Sequence, residues 1–136
     1  MTLDWLIVGG GLHGVHLAAR LLGEGRVRPE RLSIVAPAAG LLAQWRTHTT
    51  TTGMTHLRSP AVHHLDISSG SLRRFAGRRK TRHPRFITKP FDRPALGLFN
   101  AHCDHVVRTY GLDELHVRAR VSACAPAHGG VGVQLD

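Results

Sequence analysis

The segment Asp4-Trp5-Leu6-Ile7-Val8-Gly9-Gly10-Gly11-Leu12-His13-Gly14 constrains the fold more than any other part of the chain. A short continuous apolar run ending on three glycines suits a strand, Asp4 to Val8, buried on both faces. Beyond it Leu12, Val15, Ala18, Ala19 and Leu22 recur at spacings of three and four, which predicts an amphipathic helix stopped by Gly23 and Gly25. Arg31 to Ala36 reads as a second buried strand closed by Pro37. Strand, helix, strand in this order predicts a parallel pair and an α/β fold, Rossmann-like, with three layers.

Gly9, Gly11 and Gly14 form G-x-G-x-x-G in the context that gives this pattern meaning, after a strand and at the opening of a helix. Gly9 allows the tight turn, Gly11 lets backbone approach a pyrophosphate, and Gly14 lets the helix lie close on the sheet. Ala18, one turn on, keeps that contact small. The amides from Gly11 through Leu12 and His13 to Gly14 lack helical acceptors and point at an anion, with the helix dipole adding positive potential. The pattern normally ends with an acid at the tip of the second strand that binds a ribose. Here the tip is Ala36, and Glu30 lies at the opposite end of the strand.

Ala38 to Trp45 reads as a short helix, and the β-branched polar run from His48 to Met54 as a loop. Ser68 to Phe75 suits one or two helical turns, and Gly77 to Pro94 an exposed connection. Pro94 suits the first turn of a helix through Leu96, Phe99, Cys103, Val106, Val107 and Tyr110 that stops at Gly111. Leu115 to Val121 and Val131 to Leu135 read as strands around a hairpin turn at Gly129-Gly130. One domain over residues 1–136 is expected. It comprises a strand–helix–strand unit with its following helix (1–46), a loop-rich basic segment (47–93), and a helix with strands (94–136).

Composition narrows the function classes. No apolar stretch reaches the length of a membrane helix, and no basic region precedes an apolar one at the N-terminus, so a cytoplasmic protein is expected. Cys103 and Cys124 have neither disulfide-framework nor zinc spacing and read as reduced thiols. His13 and His16, and His102 and His105, stand three apart, but no acid matches the first pair and Cys103 fits the apolar stripe beside the second, so no metal is expected. The net charge of +9 is concentrated: Arg73, Arg74, Arg78, Arg79, Lys80, Arg82 and Arg85 crowd one stretch. That stretch is read as a solvated loop, able to steer an anionic cofactor, with a nucleic-acid interface as the rival. The P-loop and nucleophile-elbow patterns are absent.

The sequence resembles the flavin-dependent oxidoreductases related to lysine and ornithine N-monooxygenases. Asp4-x-x-Ile7-Val8-Gly9-Gly10-Gly11-x-x-Gly14-x-x-x-Ala18 is similar to their FAD signature. Leu41-Leu42-x-x-Trp45 and Met54-x-x-Leu57-Arg58-Ser59 are similar to the segment after the second strand. Pro94, Phe99, Val106-Val107, Tyr110-Gly111 and the valines and glycines from Val117 to Val133 resemble the third helix and the start of a β-meander. The resemblance implies FAD as cofactor, NAD(P)H as co-substrate and a small-molecule substrate such as an amine. It also implies that Gly9 to Gly14 hold the pyrophosphate, that Ala36 and Pro37 lie near the adenosine ribose, and that the Val121 backbone lies near adenine. Trp45 would border the flavin or serve as a core aromatic. Because the flavin carries the chemistry, no catalytic side chain is expected in this segment. The family continues past the position of Asp136, which implies an N-terminal segment partnered by a C-terminal domain or a second copy. A non-catalytic dinucleotide-binding module stays open beside the enzyme.

Overall fold

In the computed structural model, residues 2–78 and 87–136 are described. Strand β1 (Trp5–Val8), helix α1 (Leu12–Gly23) and strand β2 (Leu32–Ala36) form the expected crossover unit. β1 and β2 are parallel, with Ile7 opposite Ile34 and Val8 opposite Val35. A third parallel strand, β5 (His116–Arg118), lies on the other side of β2, giving the order β1-β2-β5. Every residue of β2 is buried, as its central position demands.

β1 departs from the expectation of burial on both faces. It is an edge strand, and while Ile7 is buried against α1, Val8 is 61% exposed. Val8, Val35 and Val117 share one row across the sheet, and only Val35 is buried, shielded by a strand on each side. The opposite row holds Ile7 and Ile34, and both belong to the main core. That core gathers Val15, Ala18 and Ala19 of α1 with Leu98, Phe99, Cys103, Val106 and Val107 of helix α4 (Leu96–Thr109). Leu32, Ile34, Leu42, Leu72, Leu98 and Leu112 are almost wholly buried, each contributing about 1.5–3 kcal/mol.

The stretch from His48 is helix, not loop: α2 runs Ala43–Thr51. Its threonines satisfy their hydroxyls within the helix, Thr47 donating to the Ala43 carbonyl (3.1 Å), Thr49 to Trp45 (3.0 Å) and Thr51 to Thr47 (2.8 Å). A run that disfavours helix by propensity is therefore accommodated by bonding back one turn. The residues before α2 are not helical, and Leu42, fully buried, takes a left-handed conformation at its start (φ 63°). Helix α3 (Ser71–Arg78) follows the expected turns with a slight C-terminal shift.

Within the expected connection, β3 (Ile87–Thr88) and β4 (Arg93–Pro94) pair antiparallel. Pro94 is buried in β4 and precedes α4 rather than opening it, because the Ala95 carbonyl, extended, accepts the first helical bond from Phe99. The basic residues Arg79 to Arg85 lie outside the described residues. Arg73 pairs with Asp92 (2.5 Å) and Arg74 donates to Ser68 (2.6 Å).

The single strand expected from Leu115 to Val121 is two. After β5 the chain leaves the sheet at Ala119 and Arg120, and Val121 opens β6 (Val121–Ala127), which pairs with β7 (Gly130–Leu135) across the expected turn at Gly129 (φ 78°). This ribbon stands off the core, with only Val121 and Val133 partly shielded. Cys103 is buried and Cys124 exposed, both as free thiols.

Candidate dinucleotide-binding site

β1 hands the chain to α1 through a turn that only glycine accommodates. Gly9 adopts φ 115°, and its amide donates to the Val35 carbonyl (2.8 Å), so the turn is pinned to the neighbouring strand. A Cβ on Gly14 would stand 1.9 Å from the Gly9 carbonyl oxygen and 3.3 Å from Ile7, which is why the helix can start so close to the strand. Ala18, fully buried, continues the contact.

Gly11 caps the helix, and a Cβ there would meet nothing within 4 Å. Open space beside bare backbone, next to helix-start amides without intrahelical acceptors, is the cradle a pyrophosphate needs. Gly10 faces Ala36 and Leu41 at 3.2 and 3.1 Å from its ideal Cβ, and its carbonyl accepts from the Leu42 amide (2.7 Å). The left-handed Leu42 thus clasps the loop to the start of α2. Propensity has no signal for this clasp, because leucine disfavours that backbone and only tertiary packing holds it there.

Leu12, His13 and Trp45 line a cavity of about 590 Å³, closed by Met54, Leu57 and Phe99. Trp45 donates from Nε1 to the Asn100 Oδ1 (3.0 Å) and meets Phe99 edge-on, ring centroids 5.7 Å apart. Its role as a packed aromatic is therefore real, and the same ring still borders the cavity. His16, His63, His64 and Arg58 add the polar rim. His16 donates from Nδ1 to the Leu65 carbonyl (2.7 Å). Of this rim, Leu57-Arg58-Ser59 appears as a motif in the sequence, whereas His63 and His64 carry no periodic signal and come to the cavity through the loop after Pro60.

Ala36 sits at the tip of β2, buried, opposite Arg118 of β5. Its carbonyl accepts from the Ala119 amide (3.2 Å), and Arg118 donates from Nε to the Pro37 carbonyl (3.4 Å). Pro37 is exposed beside the tip, while Val121 opens β6 and lines neither cavity.

Behind His64 lies a polar network in the core. The Ser71 hydroxyl donates to Asp66 Oδ2 (2.5 Å), leaving its oxygen to accept from Nε2 of the fully buried His102 (3.0 Å). Tyr110 donates to Asp66 Oδ1 (3.0 Å). Burial and the neighbouring His64 push the His102 imidazole down to about 4, so the ring is neutral with its proton on Nε2. Its Nδ1 makes no hydrogen bond. Among the described residues no three His, Cys, Asp or Glu side chains gather as metal ligands, and no helix is long and apolar enough to cross a membrane.

A parallel sheet, a glycine turn into a helix and an open cradle at the helix start define a Rossmann-like dinucleotide-binding domain. The chain belongs to the FAD-NAD(P)-binding family, whose model matches residues 6–136. A steroid monooxygenase bound to NADP superposes with a TM-score of 0.68 at 15% identity, over 100% of this chain and 23% of the other. A flavin-containing monooxygenase from Stenotrophomonas maltophilia gives 0.58 at 19% identity, over 98% and 34%. The bacillithiol disulfide reductase of Staphylococcus aureus gives 0.58 at 16%, over 99% and 34%. At these identities the likeness is one of fold, and the chain spans a quarter to a third of the solved chains it matches. No curated protein matches it.

Proposed function

We propose that this chain is the FAD-binding part of an NAD(P)H-dependent flavoprotein monooxygenase of the amine N-hydroxylating type. One observation carries the reading: the pyrophosphate cradle at Gly11 leads through Leu12 and His13 straight into an apolar cavity walled by Trp45 and Phe99. A dinucleotide with one flat, largely apolar end fits that continuity. The helix-start amides would hold the pyrophosphate, Ala36 and Pro37 would lie beside the adenosine ribose, and the Val121 backbone near adenine. Trp45, Phe99 and Leu57 would exclude water around the ring. Bound flavin supplies the redox chemistry, and this chain's residues orient it and keep it dry. Likeness in fold to flavin monooxygenases supports the reaction class, and the resemblance to amine N-hydroxylating enzymes supports the substrate.

The open edge of β1 and the exposed row of Val8 and Val117 favour a further domain or second copy as partner. The test is flavin retention. Protein loaded with FAD and passed through gel filtration should keep about one flavin per chain, and Gly11→Val should lose it because the branched side chain fills the cradle. Amine-stimulated NADPH oxidation by the flavin-loaded protein then tests the reaction. Failure of the wild-type chain to retain flavin would overturn the enzyme reading and favour the non-catalytic module, for which Ala36 in place of a ribose-binding acid is the supporting observation.

A further inference from the structure

Beside the apolar cavity lies a second one, of about 520 Å³, lined by Thr52, Met54, Thr55, His56, Arg58 and Arg93 together with the backbone at Gly53. Met54 and Arg58 line both cavities, so the two adjoin. The lining of the second is one-sided in charge: two guanidiniums and an imidazole, and no carboxylate. Several arginines elsewhere are paired with carboxylates. Arg20 pairs with Glu24 (2.8 Å), Arg31 with Asp4 (2.5 Å) and Arg46 with Asp104 (2.5 Å). Arg58 by contrast makes no hydrogen bond or ion pair with any described residue, although it stands at the mouth of both cavities. The neighbouring His56 ring meets Thr55 Oγ1 through Nδ1 (3.2 Å), while its Nε2 is buried and makes no hydrogen bond. The His56 Nε2, buried without a partner among the described residues, costs free energy unless something polar answers it, and the exposed Arg58 guanidinium stands on the same wall with its charge unpaired among the described residues.

From this juxtaposition we infer that the cleft between Thr52 and Arg93 is a binding site for an oxyanion, a phosphoryl or carboxylate group, held by Arg58 with His56 and Arg93. Arg58 is placed to grip two oxygens at once, as guanidinium does with either group. The site is separate from the glycine cradle, and its occupancy does not depend on the flavin reading.

The test is a calorimetric titration of the full chain with inorganic phosphate at low ionic strength, on wild type and on Arg58→Gln, Arg58→Lys and Gly11→Val variants. Saturable phosphate binding is expected, weakened about tenfold or more in Arg58→Gln and partly restored in Arg58→Lys. Gly11→Val, which fills the cradle at the helix start, isolates the second site, and the binding that depends on Arg58 should persist in it. Circular dichroism should show Arg58→Gln to be folded, since the exposed side chain it removes has no partner among the described residues. Binding that survives Arg58→Gln in the Gly11→Val background overturns the site, as does the absence of saturation in Gly11→Val. Loss in Gly11→Val alone also overturns it, by placing the phosphate at the helix start, and leaves the dinucleotide reading standing. Succinate titrated in parallel separates the two ligand chemistries: tighter succinate assigns a carboxylate, tighter phosphate a phosphoryl group.

Discussion

The Gly9 carbonyl oxygen occupies the space where a side chain on Gly14 would begin, 1.9 Å from an ideal Cβ. The first turn of α1 and the first residue of the turn after β1 are thus in backbone contact, and the distance between helix and sheet is set there. Gly14→Ala forces α1 away from Ile7 and disturbs the amides at its start. The expected cost is about 1–3 kcal/mol of stability, with weakened flavin retention. Urea denaturation and gel filtration after FAD loading measure the two effects, and unchanged values in both would contradict this account.

If FAD binds as proposed, Ala36 leaves the adenosine ribose without a carboxylate at the tip of β2. Ala36→Glu is expected to tighten FAD binding by about ten- to a hundredfold, the equivalent of a hydrogen bond to a charged group, roughly 1.5–3 kcal/mol. A fluorescence titration of FAD reads the change. Weaker binding by the variant would mean that the ribose lies elsewhere.

Trp45 borders the cavity, whereas Trp5 lies on the outer strand, 46% exposed. FAD is therefore expected to quench the emission of Trp45 strongly and that of Trp5 little. Trp45→Phe should remove most of the quenching and, by deleting the bond to Asn100, cost about 1 kcal/mol of stability. Equal quenching in the variant would place the ring system away from α2.

His102 makes stability depend on acidity. Its folded value of about 4, against an ordinary 6.5, means that between these limits the unfolded chain binds a proton that the folded chain refuses. The contribution is complete above pH 6.5 and is lost as the pH falls toward 4, at up to about 1.4 kcal/mol per pH unit. His102→Gln, which can still donate to Ser71, should flatten this slope. Denaturation midpoints at pH 7 and pH 5 in both proteins are the check, and parallel slopes would exclude His102 as the cause.

Much of the architecture was legible before any coordinates. The run from Trp5 to Val8, the glycines after it and the stripe Val15, Ala18, Ala19 specify strand, turn and helix by local rules alone, and the structure follows them. The same rules failed at Thr47 to Thr51, where hydroxyls bonded back to the preceding turn outweigh poor propensity. They failed again at Val8, because whether a strand is central or at an edge depends on what pairs with it.

The candidate site divides along the same line. Gly9, Gly11 and Gly14 declare themselves because each answers a backbone requirement that no other residue meets, and that requirement is written into their spacing. His56, His63 and His64 do not, since their significance lies in neighbours far away in sequence. Sequence alone determined the parallel strand–helix–strand unit and its glycine turn, both of which arise from contacts within a few tens of residues. Only the tertiary structure decided how β5, α2 and α4 close around that turn, which strand lies at the edge, and where charge is left uncompensated. Those outcomes rest on packing between distant segments, and burial and pairing at one residue are fixed by all the others that surround it.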